Sequence, residues 1–184
     1  MKIFFLLAIL ASAAGAQAVF DIDASQSRAA FTIGDTLHTV HGTFRVTRGS
    51  IHFDPSGVAS GEIVVDAASG DSGTAARDKR MHQNILESKK FSEITFVPTH
   101  VRGAVNPAGE SKVEIDGTFT IHGASHPLTA SAVVTASGDR LQTKAHFVVP
   151  YVLWGMKNPS NIFVKVGDTV EIDLDASGHI TWAH

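Results

Sequence analysis

Lys112-Val113-Glu114-Ile115-Asp116-Gly117-Thr118-Phe119-Thr120-Ile121 carries an apolar residue or a glycine at every second position. Successive side chains of a strand point to opposite faces. The stretch therefore reads as a half-buried β-strand, with Val113, Ile115, Gly117, Phe119 and Ile121 on a dry face. Lys112, Glu114, Asp116, Thr118 and Thr120 fall on the wet face.

The same period runs outward in both directions. Upstream, Ala29, Phe31 and Ile33 alternate with polar neighbours, as do Val40, Gly42, Phe44 and Val46, then Ile51 and Phe53, then Ile63, Val65 and Ala67, then Ile94 and Phe96. Downstream come Leu128, Ala130, Ala132 and Val134, then Leu141, Thr143, Ala145, Phe147 and Val149, then Val170, Ile172 and Leu174. Turn-forming residues separate the runs at Thr47-Arg48-Gly49, Asp54-Pro55-Ser56-Gly57, Asn106-Pro107-Ala108-Gly109, Ser137-Gly138-Asp139 and Gly167-Asp168. About eight strands joined mostly by short turns predict an all-β antiparallel meander. Both a sandwich and a closed up-and-down barrel satisfy that pattern. An eight-stranded barrel is filled by its own side chains or holds one small ligand. Small dry-face residues (Ala29, Gly42, Gly117, Ala130, Ala132, Ala145) would leave such a lumen partly open, or would pack against bulky partners in an ordinary core.

Composition bounds the class. Lys2, the apolar run Ile3 to Leu10 and the Ala16-Gln17-Ala18 site read as a cleaved secretory signal peptide, residues 1–18, with a cut after Ala16 as the alternative. That apolar run is too short to span a bilayer. Residues 19–184 then form one domain by length, exported to the periplasm or secreted. The chain has no cysteine, so its stability rests on packing and the β-ladder without disulfides. Its formal charge of −3 and the lack of a basic block argue against nucleic acid as a partner. No second apolar run predicts a membrane span.

Two stretches break the rhythm. Ser72 to Leu86 lacks period two; Ser72 or Thr74 supplies an N-cap, and Met81 and Ile85, four apart, share a face. A short helix there is expected to form a lid over one end. Pro150 to Phe163 contains two prolines, a glycine and two asparagines among apolar groups and predicts a long ordered loop. Arg77 and Asp78 either anchor the lid by an ion pair or face the mouth and meet a polar headgroup.

No constellation points to catalysis. His38 and His41 are three apart and His122 and His126 four apart, but parity puts His41, His52, His122 and His146 on the wet face, and no H-E-x-x-H pattern occurs. Glu171, Asp173 and Asp175 form a row pointing away from Val170, Ile172 and Leu174. Gly123-Ala124-Ser125-His126-Pro127 lacks the second glycine of a nucleophile elbow. Neither an enzyme nor a metal site is expected.

Taken in order, several motifs resemble the YceI-like family of exported proteins. They are Val40-His41-Gly42-Thr43-Phe44 with Gly49-Ser50-Ile51-His52-Phe53-Asp54, Val65-Asp66-Ala67-Ala68-Ser69, and Arg77-Asp78 with Met81. Phe91 with Ile94-Thr95-Phe96, Gly117-Thr118-Phe119-Thr120-Ile121-His122-Gly123 and Val166-Gly167-Asp168-Thr169-Val170-Glu171-Ile172 complete the set. The chain departs from the family at Ser92-Glu93, where a proline is usual, and in the Trp154 to Ser160 loop. The resemblance implies a lipocalin-like antiparallel barrel whose lumen takes a polyisoprenoid-like chain, and so a choice between the two architectures. The ligand expected is an amphiphilic lipid of quinone or polyprenyl type, with no other cofactor; a dimer is allowed. The expected lumen and mouth residues are Phe31, Ile33, Phe44, Val46, Ile63, Val65, Met81, Ile85, Phe96, Ile115, Phe119, Ala130, Ala132, Phe147, Val149 and Trp154, with Arg77 and Asp78 as headgroup contacts or lid anchors. The competing expectations are an interaction or stress-response module with a filled core and, behind it, a histidine-dependent metalloprotein.

Overall fold

The computed structural model describes residues 17–182; the expected leader lies almost wholly outside them. Nine strands form one sheet: β1 (Ala18–Ile22), β2 (Arg28–Gly34), β3 (Thr39–Phe53), β4 (Ala59–Asp71), β5 (Glu93–Arg102), β6 (Gly109–Ile121), β7 (Ala124–Ser137), β8 (Arg140–Val149) and β9 (Val170–Thr181). All pairings are antiparallel. Strands β2 through β9 close into an eight-stranded barrel, with β3 pairing both β2 and β4, and β2 pairing β9. The up-and-down barrel with one short helix that the family resemblance implies holds, and closure excludes the sandwich that period two alone leaves open.

The additional strand is β1. It lies between the C-terminal parts of β3 and β9, while β2 lies between their N-terminal parts. The two run end to end, split by a single 3₁₀ turn at Ala24–Gln26 that Asp23 caps by accepting from the Ser25 amide. Strand β1 escapes a reading of the sequence because Ala18-Val19-Phe20-Asp21-Ile22 follows an apolar run and looks like its tail.

One expected turn is not a turn. Thr47-Arg48-Gly49 lies inside β3, where the register against β4 slips between Val46 and Arg48. Val40 and Val46 are buried before the slip, Ile51 after it, so the inward set changes from even to odd positions. A β-bulge places two residues opposite one and shifts parity in this way. The same pair of strands also slips between Thr43 and Arg45, and a third irregularity sits at Pro98, which is fully buried and has no N–H for the ladder.

The wet face carries the charges where parity put them. Arg48 bridges Glu62 and Glu93, Arg102 bridges Glu114 and Asp116, and Asp173 and Asp175 meet His146 and Arg28. These pairs are exposed and contribute little each.

The two ends differ. At one end short connections join the strands at 54–58, 103–108 and 138–139. At the other, β2–β3 and β6–β7 are tight, but 72–92 and 150–169 are long. The first long connection holds the lid, helix α1 (Ala75–Arg80) followed directly by one π-helical turn, Met81–Ile85. No helix among the described residues is long and apolar enough to cross a membrane.

Candidate functional site: the open half of the barrel

The lumen is divided. Toward the short-turn end, side chains fill it: Phe20, Val101, Val113, Leu141 and Ile180 pack together with Phe53 and Trp182, whose rings meet edge to face at 6.4 Å. What is left is an apolar void of about 60 Å³. Toward the long-loop end lies a cavity of about 520 Å³, within the range of small-molecule sites. Ile63, Phe96, Phe147 and Leu174 border both spaces and form the floor between them.

The cavity wall is aliphatic and aromatic. Phe31, Ile33 and Ala29 come from β2, Phe44 from β3, Val65 from β4, Ile94 from β5, Phe119 and Ile121 from β6, Val149 from β8, and Val170 and Ile172 from β9. Met81, Ile85 and Leu86 close it from the lid side, and Tyr151 and Met156 from the long loop. Around its mouth stand Asp35, Ser72, Thr74, Arg77, Arg80 and Asn161. An apolar chamber with a polar collar fits an amphiphile.

Glycines shape the wall differently from the sequence expectation. A Cβ on Gly42 would lie 2.3 Å from the Phe31 ring, one on Gly70 2.5 Å from the Phe44 ring, and one on Gly117 2.6 Å from the Phe96 ring. These glycines do not leave empty space. They are seats into which large rings press flat against the wall, a close approach only glycine permits.

Of the expected lumen residues, Phe31, Ile33, Phe44, Ile63, Val65, Met81, Ile85, Phe96, Phe119, Phe147 and Val149 line the open cavity. Ile115 and Ala130 line the small closed-end void instead, and Ala132 is buried in the filled half. Val46 is packed with Ile51 and Ile63 behind the bulge. Parity finds the inward face but not the position along the axis, which explains these four. Trp154 sits on the lip outside the cavity. Its ring stacks on His126 at 4.1 Å, within 1° of coplanar, and lies tilted against Phe119 at 6.0 Å. Ile172, Tyr151 and Met156 were missed as wall; the alternation in β9 flagged Ile172 as inward, but nothing local marks the other two.

The lid is anchored through Ser72. The Asp78 carboxylate accepts from the Ser72 amide at 2.9 Å and its hydroxyl at 2.6 Å, and Arg77 donates to the Ser72 carbonyl at 3.3 Å. Arg77 and Asp78 therefore both hold the lid, but by meeting one backbone residue and not by an ion pair with each other. Arg77 also borders the cavity, and Asp78 does not. Burial pushes the Asp78 carboxyl up; the hydrogen bonds from Ser72 outweigh it and hold it below its usual value. Thr74 is the N-cap residue but makes no side-chain cap bond.

The long loop is tied to itself. Tyr151 donates to the Gly167 carbonyl at 2.7 Å, and Asn158 donates to Val166 and Asp168. Burial, with Asp168 nearby, pushes the Tyr151 hydroxyl up to about 12. Arg80 reaches the Pro159 carbonyl at 3.3 Å, so lid and loop meet across the mouth.

The histidines do not converge. His41 bonds Thr32, His82 bonds the Gly70 carbonyl and Ser88, and His122 bonds Glu87. Among the described residues no group of three or more metal-ligating side chains comes together.

A YceI-like domain profile matches residues 20–177. The chain belongs to the YceI-like family. A UPF0312 protein of Pseudomonas fluorescens is 28% identical over 76% of this chain and 73% of its own. One from Vibrio parahaemolyticus is 32% identical over 54% of this chain and 52% of its own. Two solved structures share the fold of this YceI-like chain. Burkholderia cenocepacia BcnA superposes with a TM-score of 0.72 at 19% identity, covering 86% of this chain and 99% of that one. A polyisoprenoid binding domain from Saccharophagus degradans gives 0.65 at 17% identity, covering 88% and 98%.

Proposed function

We propose that this YceI-like protein is a binding protein, not an enzyme, that holds one amphiphilic isoprenoid lipid, of quinone or polyprenyl type, with its tail in the open half of the barrel and its head at the collar. The carrying observation is the cavity of about 520 Å³ with a largely apolar wall, a floor at Phe96 and Phe147, and its charged groups at the mouth. The Saccharophagus neighbour, described as a polyisoprenoid binding domain, supports the ligand class. Burial of apolar surface contributes about 25 cal/mol per Å², partly offset by the lost freedom of a flexible chain. Few polar contacts are then needed.

The floor limits the depth. Val170 to Leu174 spans the wall from rim to floor along β9, about 13 Å at a strand rise of about 3.3 Å per residue. A long polyprenyl tail must fold back on itself in the chamber or leave part of its length at the mouth.

The role is carriage or sequestration outside the cytoplasm, following the leader-like start of the chain. Ala18 opens β1, opposite Phe53, and is buried. This supports the cut after Ala16, which keeps Ala18, over the cut after Ala18.

Native mass spectrometry of protein purified from its own host is the test. A co-purifying prenyl lipid, one per protein, is expected. Empty protein that also fails to take up any prenyl quinone or polyprenyl lipid in fluorescence titration overturns the proposal.

A further inference from the structure

Besides Leu153, also exposed in the long loop, three large apolar side chains stand in solvent around the open mouth. Leu37 is 72% exposed, Ile162 88% and Phe163 87%. Leu37 tips the β2–β3 hairpin. Ile162 and Phe163 tip a tight turn closed by the Asn161 carboxamide, which accepts from the Phe163 and Val164 amides at 2.8 Å. The two tips are joined: Thr36 donates to the Lys165 carbonyl at 3.0 Å, Asp35 bridges Val166, and Gly167 donates to the Gly34 carbonyl. The residues flanking each tip, Asp35 on one side and Asn161 and Val164 on the other, line the cavity. The exposed groups therefore form the outer edge of the chamber's own doorway.

The charge beside them is cationic. Arg80, at the cavity rim, and Lys165, between the tips, are exposed and form no ion pair among the described residues. Two carboxylates, Asp35 and Asp168, stand among them, against the three cations Arg77, Arg80 and Lys165. Asp35 accepts from the Leu37 and His38 amides, which hold it below its usual value, and Asp168 accepts from Asn158.

We propose that this rim docks on a lipid bilayer, with Leu37, Ile162 and Phe163 inserted among the acyl chains and Arg80 and Lys165 against anionic headgroups. Protruding apolar tips on separate loops, with cations just behind them, match the layered chemistry of a membrane surface: apolar groups enter the headgroup boundary and basic groups meet the negative potential. A single protein partner would need a continuous complementary face, and these tips are separated protrusions. The continuity of rim and lumen gives the docking a purpose: a tail passes from bilayer to chamber without crossing water. The inference rests on the lipid-binding reading of that chamber.

Vesicle flotation tests it, with phosphatidylcholine alone and mixed with phosphatidylglycerol. The wild-type protein is expected to float with the mixed vesicles. Leu37→Ser with Ile162→Ser and Phe163→Ser should lower the bound fraction about tenfold or more, and Arg80→Gln with Lys165→Gln about fivefold or more on the anionic vesicles alone. Val58→Ser, an exposed apolar site in the connection at the opposite end, should change nothing. Because the chain has no cysteine, Phe163→Cys carrying an environment-sensitive dye should brighten and shift blue on vesicle addition, while Val58→Cys should not. Wild-type protein that stays in solution, a triple serine variant that floats as well as wild type, or a dye at 163 that keeps its aqueous emission overturns the proposal. So does a dimer in light scattering that the triple variant dissolves, since the patch then serves a second copy. Ile172→Trp, which narrows the chamber, should lose lipid uptake and keep flotation. Loss of flotation with uptake intact is the signature of the triple serine variant, whose three side chains lie outside the chamber. The failure of either reading is thus seen separately.

Discussion

The two halves of this barrel share seven strands and the same alternation, with β1 completing one and β2 the other, yet one is solid and the other hollow. In the closed half Phe20, Phe53 and Trp182 project across the axis and meet Val113, Leu141 and Ile180. In the open half the large rings lie along the wall, Phe31 over Gly42 and Phe44 over Gly70, and the long connections supply a roof in place of a plug. The difference teaches that a lumen is opened by where rings can lie down, not by small residues as such. Alanines are common in the filled half (Ala130, Ala132, Ala136, Ala145, Ala176), where they make room for the crossing aromatics.

Truncation should separate the halves most strongly. Phe20→Ala leaves a hole in a packed region and is expected to cost about 3–5 kcal/mol. Phe44→Ala, on a half-buried ring facing the chamber, should cost under about 2 kcal/mol. Urea unfolding of both variants checks this, and equal losses would break the distinction between a solid and a hollow half.

Enlargement should do the converse. Ala130→Trp overpacks the closed half, at about 1–3 kcal/mol, and leaves the open chamber unfilled, so lipid uptake should survive in the folded fraction. Ile172→Trp occupies the chamber and should reduce uptake at least tenfold, the ratio set by about 1.4 kcal/mol. Titration with a fluorescent prenyl lipid reads both. Should Ala130→Trp abolish uptake while Ile172→Trp does not, the floor at Phe96 and Phe147 is misplaced.

Acid and alkali should loosen the open end first. Asp78 has its carboxyl held below its unfolded value, so its hold on Ser72 is present above that unfolded value and is lost as pH falls through the lower folded one. Amide exchange of residues 72–80 should accelerate below about pH 4 while β1 and β6 stay protected, and Asp78→Asn should remove the transition. Tyr151 has the opposite sign. Its hydroxyl is raised to about 12, so its contribution is intact below about pH 10 and is lost as pH climbs from there to about 12. Tyr151→Phe should erase that alkaline step in thermal melts.

The smallest effect is expected outside the lumen. His41→Ala with His122→Asn should leave lipid uptake within about twofold of wild type, since surface changes away from a site rarely exceed about 0.5 kcal/mol. Asparagine suits position 122, where the backbone has φ 52°. A large loss in the same titration would move the site from the chamber to the wet face.

Much of this is legible in the sequence alone. The period-two runs named eight of the nine strands and put Glu171, Asp173, Asp175 and the strand histidines outside. The non-periodic stretches found both the lid and the long loop. Three features were not legible. The bulge at Thr47-Arg48 looks like a turn because its residues are turn formers; only the ladder to β4 shows the strand continuing. Strand β1 was hidden by its neighbour in sequence. Ile115, Ala130 and Ala132 face inward as alternation implies, but at the level of the closed half.

Alternation by itself determined which side of the wall each residue faces, since that depends only on the geometry of one extended chain. The ordered motifs added the family. Closure, the split of the lumen at Ile63, Phe96, Phe147 and Leu174, and the end at which it opens came only from the tertiary structure. Those depend on register between strands distant in sequence, β2 with β9 and β3 with β4, and on which side chains meet across the axis. No local period carries that information, because height along a barrel is set by the stagger of all its strands together.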